Sequence, residues 1–136
     1  MIIGFTGTRV GMTEKQKEKV KYFLDFYKAT ELHHGDCIGA DSDAHSIARN
    51  LNVPITIHPP LNLKKRMFNN GYAKLLEKFD YTTRNENIVE ASDVLLACPK
   101  SSQEELRSGT WATVRYAKKQ QKEIVVIYPD GTWLVY

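Results

Sequence analysis

One short segment, Arg107–Trp111, carries the hydroxyl and glycine residues whose chemistry is clearest in this chain. It follows an apolar run and opens a stretch with helical spacing, so Ser108, Gly109 and Thr110 should lie at a helix N-terminus. Free backbone N–H groups and the positive end of the helix dipole favour anions there. Ser108 is equally suited to capping the helix. The segment predicts a cap or a phosphate site, and Trp111 is a candidate for base stacking or core packing.

Two further segments place glycines directly after predicted strands. In the first segment, the Thr8 hydroxyl and the Arg9 guanidinium follow Gly7, a combination suited to binding phosphate or carboxylate. In the second, two glycines let the backbone approach a ligand, and Asp36 or Asp41 could accept hydrogen bonds from ribose hydroxyls. Asp41 could equally cap the following helix. The candidate ligand contacts are Gly7, Thr8, Arg9, Gly35, Asp36, Gly39, Ala40 and Asp41.

A third set of polar residues lies at the start of a predicted helix before the fourth strand. Arg84 could clamp an anion, and Asn85 could contact a base or a ribose. Glu86 and Glu90 follow with a spacing of four residues, which places both carboxylates on one helix face. We interpret those two glutamates as a solvated surface and keep Arg84 and Asn85 as candidate ligand contacts.

The histidines invite a metal interpretation, since imidazole suits transition metals. However, His33 and His34 are adjacent on a predicted strand and should point to opposite faces of the sheet. One buried and one loop-facing histidine is the simpler expectation. Cys37 and Cys98 belong to no zinc-type spacing and should be free thiols. We therefore predict neither a metal site nor a resident cofactor.

Strand-like and helix-like segments alternate along the whole chain. This alternation predicts an α/β, Rossmann-like doubly wound fold, with a mainly parallel sheet of about five strands, helices on both faces and a short C-terminal edge strand. Residues 61–92 read as mostly helical, with a break near Asp80 that separates two helices. The expected strands cover residues 2–6, 30–34, 53–58, 94–98 and 124–127, with the edge strand at 133–136.

Composition limits the classes of protein that the chain can represent. Its 136 residues suit one domain, 1–136, and no apolar run reaches the length needed to span a bilayer. The first residues lack an export signal, so we expect a cytoplasmic protein. A net charge of +3 is well short of a nucleic-acid-binding signature. A small-molecule partner is therefore the leading expectation; we expect no membrane partner, and the weak charge disfavours a nucleic acid.

In a doubly wound sheet, ligands bind beyond the carboxyl ends of the strands, near the point where the strand order reverses. Gly7, Gly35, Gly39 and Gly109 all follow predicted strands or their loops. The fold should therefore gather these separate segments around one crevice. We interpret that convergence as the main functional signal of the sequence.

Taken together, the motifs Gly4–Arg9, His34–Asp41, Arg84-Asn85 and Ser108–Trp111 resemble the SLOG superfamily, particularly its small YspA-like members. The resemblance spans nearly the entire chain and implies a Rossmann-like domain that binds a nucleotide or a nucleotide-derived signal. It also implies that Gly109 and Thr110 match the family's phosphate-binding turn, that Arg84 matches its arginine before the fourth strand, and that Gly7 and Gly35 match its earlier glycine loops. A homodimer or homotetramer is the assembly that it implies.

The superfamily leaves two alternative functions open. Its Lonely Guy branch hydrolyses the N-glycosidic bond of nucleoside monophosphates, using a glutamate three residues after the threonine of the turn. This sequence has Thr113 and Val114 there, so neither position supplies a carboxylate. Single-stranded DNA binding, as in relatives of the DprA type, is the third hypothesis, which the weak positive charge disfavours.

Overall fold

Strands and helices alternate along the chain in the computed structural model, which describes residues 1–136. The sheet has seven strands in the order β4-β3-β2-β1-β5-β6-β7, all parallel except β7, which runs antiparallel to β6. The strands are β1 (Ile2–Gly7), β2 (Glu31–His34), β3 (Ile55–Ile57), β4 (Lys74–Leu75), β5 (Val94–Cys98), β6 (Glu123–Ile127) and β7 (Trp133–Val135), and the helices are α1 (Glu14–Phe26), α2 (Ala40–Asn50), α3 (Tyr81–Ala91) and α4 (Gly109–Lys119).

The predicted α/β class is confirmed, including the C-terminal edge strand, although the sheet has seven strands rather than about five. Helices α1 and α2 pack together on one face of the sheet, and α3 and α4 on the other. The predicted capping box is present at the start of α1, where Thr13 and Gln16 exchange side-chain hydrogen bonds with each other's backbone N–H. Strand β5 is buried along its whole length, as a central parallel strand must be. None of the helices is long and apolar enough to cross a lipid bilayer.

The prediction of a helix over the first part of residues 61–92 is wrong. Only a 3-10 turn (Leu63–Lys65) and the short strand β4 occur before α3. Tertiary hydrogen bonds hold this segment in an irregular, non-helical conformation: the Asp36 carboxylate accepts from the Arg66 and Asn69 side chains, and the Asn70 carbonyl accepts from His45. These bonds fix the backbone against the helical preference of the apolar spacing.

The expectation for the adjacent histidines on β2 is half right. His33 and His34 do point to different neighbours, but both are buried. His33 Nδ1 lies 2.8 Å from His58 Nε2, and His34 Nε2 lies 2.9 Å from His45 Nδ1. The loop-facing histidine was wrong because the segments that follow β3 and β4 cover this end of the sheet. The four histidines thus form two buried hydrogen-bonded pairs.

Candidate functional site

A cleft of about 540 Å³ opens at the carboxyl ends of β1, β2 and β5. The chain reverses its strand order here, since β2 lies on one side of β1 and β5 on the other. Loops that follow all three strands contribute to the walls, and α3 closes one side. Ten of the residues proposed from the sequence line this cleft: Gly7, Thr8, Arg9, Gly35, Asp41, Arg84, Asn85, Ser108, Gly109 and Thr110.

The N-terminus of α4 presents free donors to the cleft. Ser108 is the N-cap residue, and its hydroxyl accepts from the Trp111 N–H at 3.4 Å. The Gly109 and Thr110 N–H groups donate to no backbone carbonyl. No atom lies within 4 Å of the position that a β-carbon on Gly109 would take. The cap and the anion site are therefore compatible, because the cap occupies one N–H and leaves two facing open space.

Positive charge surrounds that helix end. Arg9 and Arg107 line the cleft, and neither forms a salt bridge. Lys100 also lines it and lies 3.8 Å from Glu105, a distant and exposed pair that contributes little. Two arginines without salt-bridge partners, beside free helix N–H groups, form an arrangement that can hold an anion.

Arg84 forms the buried floor of the cleft, with only 4% of its surface exposed. Its Nη1 donates to the carbonyls of Gly35 (2.6 Å) and His58 (3.2 Å), and its Nε donates to Asn85 Oδ1 at 2.8 Å. Its Nη2 lies 3.5 Å from Cys37 Sγ. No carboxylate forms a salt bridge with this guanidinium. Its charge is therefore fixed in place by neutral acceptors.

Asp41 brings a carboxyl group to the same cleft. It is not a side-chain cap of α2, because Gly39 is the N-cap residue there; Asp41 Oδ2 accepts from the Cys37 N–H at 3.1 Å. Burial raises the pKa of Asp41 to about 6, although the Arg84 charge and backbone N–H groups oppose the shift. Burial likewise raises the pKa of the Cys37 thiol. Asp41 is thus ionised at neutral pH and becomes protonated in mild acid.

Four candidate residues from the sequence do not line the cleft. Asp36 is fully buried and binds the Arg66–Asn69 segment with both carboxylate oxygens. Trp111 packs in the core between the sheet and α4. Gly39 has a φ of +92° and gives room to the backbone of Arg9, while Ala40 packs against Gly7. These residues position the loops that do reach the cleft.

Sequence reasoning missed several residues that line the cleft. Tyr81 lies one helical turn before Asn85, so the helical repeat of α3 was a usable signal. Lys100 and Glu105 lie in the loop between β5 and the α4 cap. Loops that follow parallel strands line the ligand site in this fold, so the position of these two residues was a usable signal. The other missed residues are Phe5, Thr6, Val10, Cys37, Ile88 and Arg107.

The fold and this cleft define a Rossmann-like α/β domain with a ligand-sized pocket at the switch point of its sheet. Solved structures share the fold at low sequence identity. The molybdenum cofactor binding protein from the phototrophic bacterium Rippkaea orientalis is 20% identical, with a TM-score of 0.68 over 93% of this chain and 76% of that one. The molybdenum cofactor carrier protein of Chlamydomonas reinhardtii is 19% identical, with a TM-score of 0.65 over 92% and 74%.

A third similar structure is that of the protein TM1055, which is 12% identical with a TM-score of 0.66 over 90% of this chain and 71% of that one. No protein-family model and no curated protein matches the sequence. At these identities the similarity establishes the shared fold.

Proposed function

We propose that this chain binds a nucleotide or a nucleotide-derived small molecule in the cleft, with a phosphate at the N-terminus of α4. The observation that carries the proposal is the open space over Gly109, bordered by two free helix N–H groups and by Arg9 and Arg107 without salt-bridge partners. Buried guanidinium and carboxyl groups deeper in the cleft, from Arg84 and Asp41, would meet the rest of the ligand.

The names of the structural neighbours support a small-molecule ligand in general. Two of them are named for binding or carrying the molybdenum cofactor, a small molecule. The cleft of this chain has a suitable charge for a phosphorylated ligand, since four cationic side chains and two carboxyl groups line it. Membership of the SLOG superfamily, a cytoplasmic location and a homodimeric or homotetrameric assembly remain predictions from the sequence resemblance.

Hydrolysis of an N-glycosidic bond is a second candidate function. Neither Thr113 nor Val114 supplies the glutamate of the Lonely Guy branch, and both are buried, but Asp41 and Glu105 bring two carboxyl groups to the cleft. A water would attack C1′ of the ribose while the bond to the base breaks, and the departing base would take up a proton. Asp41, which is ionised at neutral pH, would accept the proton that the attacking water loses, and the departing base would take its proton from solvent.

The decisive experiment incubates the purified protein with a mixture of nucleoside monophosphates and identifies bound and released molecules by mass spectrometry. Retention of an intact nucleotide, lost in a Gly109→Asp variant that remains folded, is the expected result. Released free base would favour the hydrolase. If no nucleotide is retained and none shifts the thermal unfolding of the protein, the proposal is wrong. A steeply salt-dependent affinity for oligonucleotides would then favour DNA binding.

A further inference from the structure

The deep end of the cleft presents a defined pattern of hydrogen-bond donors and acceptors. Tyr81, Asn85 and Ile88 follow one another at intervals of four and three residues, so they share the face of α3 that lines the cleft. Asp41 lines the cleft from the N-terminal turn of α2. The hydrogen-bond donors and acceptors of these residues that have no partner in the protein decide which ligand group fits between α2 and α3.

Asn85 presents its amide nitrogen as a free donor, while Arg84 fixes the orientation of the amide. Its oxygen, Oδ1, accepts from Arg84 Nε at 2.8 Å. An arginine has no acceptor, so the reverse orientation would set two donors against each other. The two N–H bonds of Asn85 Nδ2 form no hydrogen bond with the protein. Arg84 therefore converts an ambivalent amide into a fixed donor.

Asp41 presents the opposite character. Its carboxylate accepts from the Cys37 N–H, which uses only part of the capacity of its two oxygens. Burial raises the pKa of this carboxyl group, and the nearby Arg84 charge opposes that shift, so the group is ionised at neutral pH. The cleft therefore combines a donor on α3 with an anionic acceptor on α2, since both Asn85 and Asp41 line it.

One more group in this region lacks a partner. The Tyr81 hydroxyl is the one buried side-chain polar atom in the chain without a hydrogen bond. The Tyr81 ring lies against two guanidiniums, with Arg9 Cζ 5.5 Å and Arg84 Cζ 5.3 Å from its centroid. An unpartnered buried hydroxyl costs stability in the free protein.

We propose that this end of the cleft recognises the 2-amino-oxo-pyrimidine edge of a ring system, the edge that guanine and pterins share. The ring carbonyl would accept from Asn85 Nδ2, and the adjacent ring N–H and exocyclic amine would donate to the Asp41 carboxylate. Adenine presents an amine where this edge has a carbonyl, so it would face the Asn85 donor with another donor. This inference rests on the proposed function, since the phosphate of the same ligand would lie at α4.

Two isosteric variants test the assignment. Asn85→Asp keeps an oxygen for Arg84 Nε and replaces only the free donor with an acceptor. Asp41→Asn keeps an oxygen for the Cys37 N–H and replaces the free acceptor with a donor. Glu86→Gln is the matched control, because it makes the same kind of change on α3 at a residue that does not line the cleft. Circular dichroism and thermal unfolding establish that each variant is folded.

Titration calorimetry would compare GMP, IMP, AMP, neopterin monophosphate and the base-free ribose 5-phosphate. We expect GMP or neopterin monophosphate to bind at least about tenfold more tightly than AMP, and the tighter of the two identifies the source of the edge. Asn85→Asp should weaken that ligand by at least about tenfold without weakening AMP. Asp41→Asn should remove the advantage of GMP over IMP, which lacks the exocyclic amine. Glu86→Gln should change neither.

Equal binding of GMP, IMP and AMP, or an equal loss of all three in the two variants, would overturn the inference. The proposed function would survive that result if ribose 5-phosphate and the nucleotides still lose affinity in Gly109→Ala. Failure of every phosphorylated probe to bind the wild-type protein would overturn both.

Discussion

The Arg84 guanidinium occupies the space that a β-carbon on residue 35 would take, and its Nη1 donates to the Gly35 carbonyl at 2.6 Å. The absent side chain at Gly35 and the buried cation on α3 are therefore one structural unit. Because Arg84 in turn fixes the amide of Asn85, this unit connects the end of β2 to the side of the cleft that α3 provides.

Gly35→Ala should displace Arg84 and destabilise the protein by about 2 kcal/mol, because the new methyl group overlaps a buried cation whose hydrogen bonds cannot be replaced. The free energy of unfolding in urea measures the effect. In an Arg84→Ala background the same substitution should cost much less, since the overlapping group is gone. Additive costs in the double variant would contradict the proposed coupling.

Gly109→Ala should separate stability from binding. The β-carbon enters open space at the first position of α4, so the free energy of unfolding should be unchanged or higher by up to about 1 kcal/mol. The same methyl group would occupy the space proposed for a phosphate, and affinity for phosphorylated ligands should fall at least about tenfold. Calorimetry and urea unfolding on one preparation test both halves. Unchanged affinity would place the phosphate elsewhere.

Tyr81→Phe removes a buried hydroxyl that has no partner in the free protein. We expect the variant to be as stable as the wild type or more stable by about 1 kcal/mol, whereas most buried tyrosine hydroxyls stabilise a fold through a hydrogen bond. Thermal unfolding of the free protein is the measurement. Tyr116→Phe is the contrasting variant, since its hydroxyl donates to Glu90 at 2.6 Å. A clear loss of stability in Tyr81→Phe would show that its hydroxyl has a partner.

Asp41 should make stability depend on pH in an unusual direction for an acid. Its folded-state pKa of about 6 lies above the ordinary 3.8, so ionisation disfavours the folded state and its contribution declines as the pH rises from about 4 to about 6. The difference in unfolding free energy between wild type and Asp41→Asn should change by about 3 kcal/mol across this interval. A difference independent of pH would contradict the raised pKa.

The buried histidine pairs should act in the opposite direction. Burial lowers the pKa of His34 to about 3 and that of His58 to about 4, so the unfolded chain binds protons more readily below the ordinary value of 6.5. Stability should be complete above pH 6.5 and fall as the pH drops towards 4, by up to about 3 kcal/mol from His58 alone. Urea unfolding of the wild type and of His58→Gln at a series of pH values measures the contribution of His58 to the pH dependence of the unfolding free energy.

The sequence was a good guide to elements whose residues interact locally or form long apolar runs. The Thr13–Gln16 capping box and the Ser108 cap are contacts within four residues of chain, so their spacing alone encodes them. The runs in β1 and β5 predicted buried parallel strands because every residue in such a strand faces a covered surface. A mainly parallel sheet with a cleft beyond the carboxyl ends of its strands was then expected from the general behaviour of doubly wound folds, whereas the strand order itself came from the structure.

Contacts between residues distant in sequence decided the conformation of residues 61–79 and the roles of Asp36 and Trp111, which the local pattern left open. Residues 61–79 have apolar spacing typical of a helix, yet Asp36, more than twenty residues earlier, holds Arg66 and Asn69 in an irregular, non-helical segment. The same carboxylate is therefore an anchor of the fold, although its sequence position suited ribose binding equally well. Trp111 was ambiguous for the same reason, because a helix periodicity does not say which neighbour covers it.

The sequence by itself determined the α/β alternation, the helix caps and the gathering of glycine loops at one end of the sheet, since these follow from local preferences and the geometry of parallel strands. Only the tertiary structure decided which polar side chains face the cleft and which of their atoms are free. That choice depends on partners far apart in the chain, as where Arg84 uses the Asn85 oxygen and leaves its nitrogen to a ligand. Tertiary contacts decide which hydrogen-bond donors and acceptors already have partners in the protein, and the order of residues along the chain does not show which ones remain free.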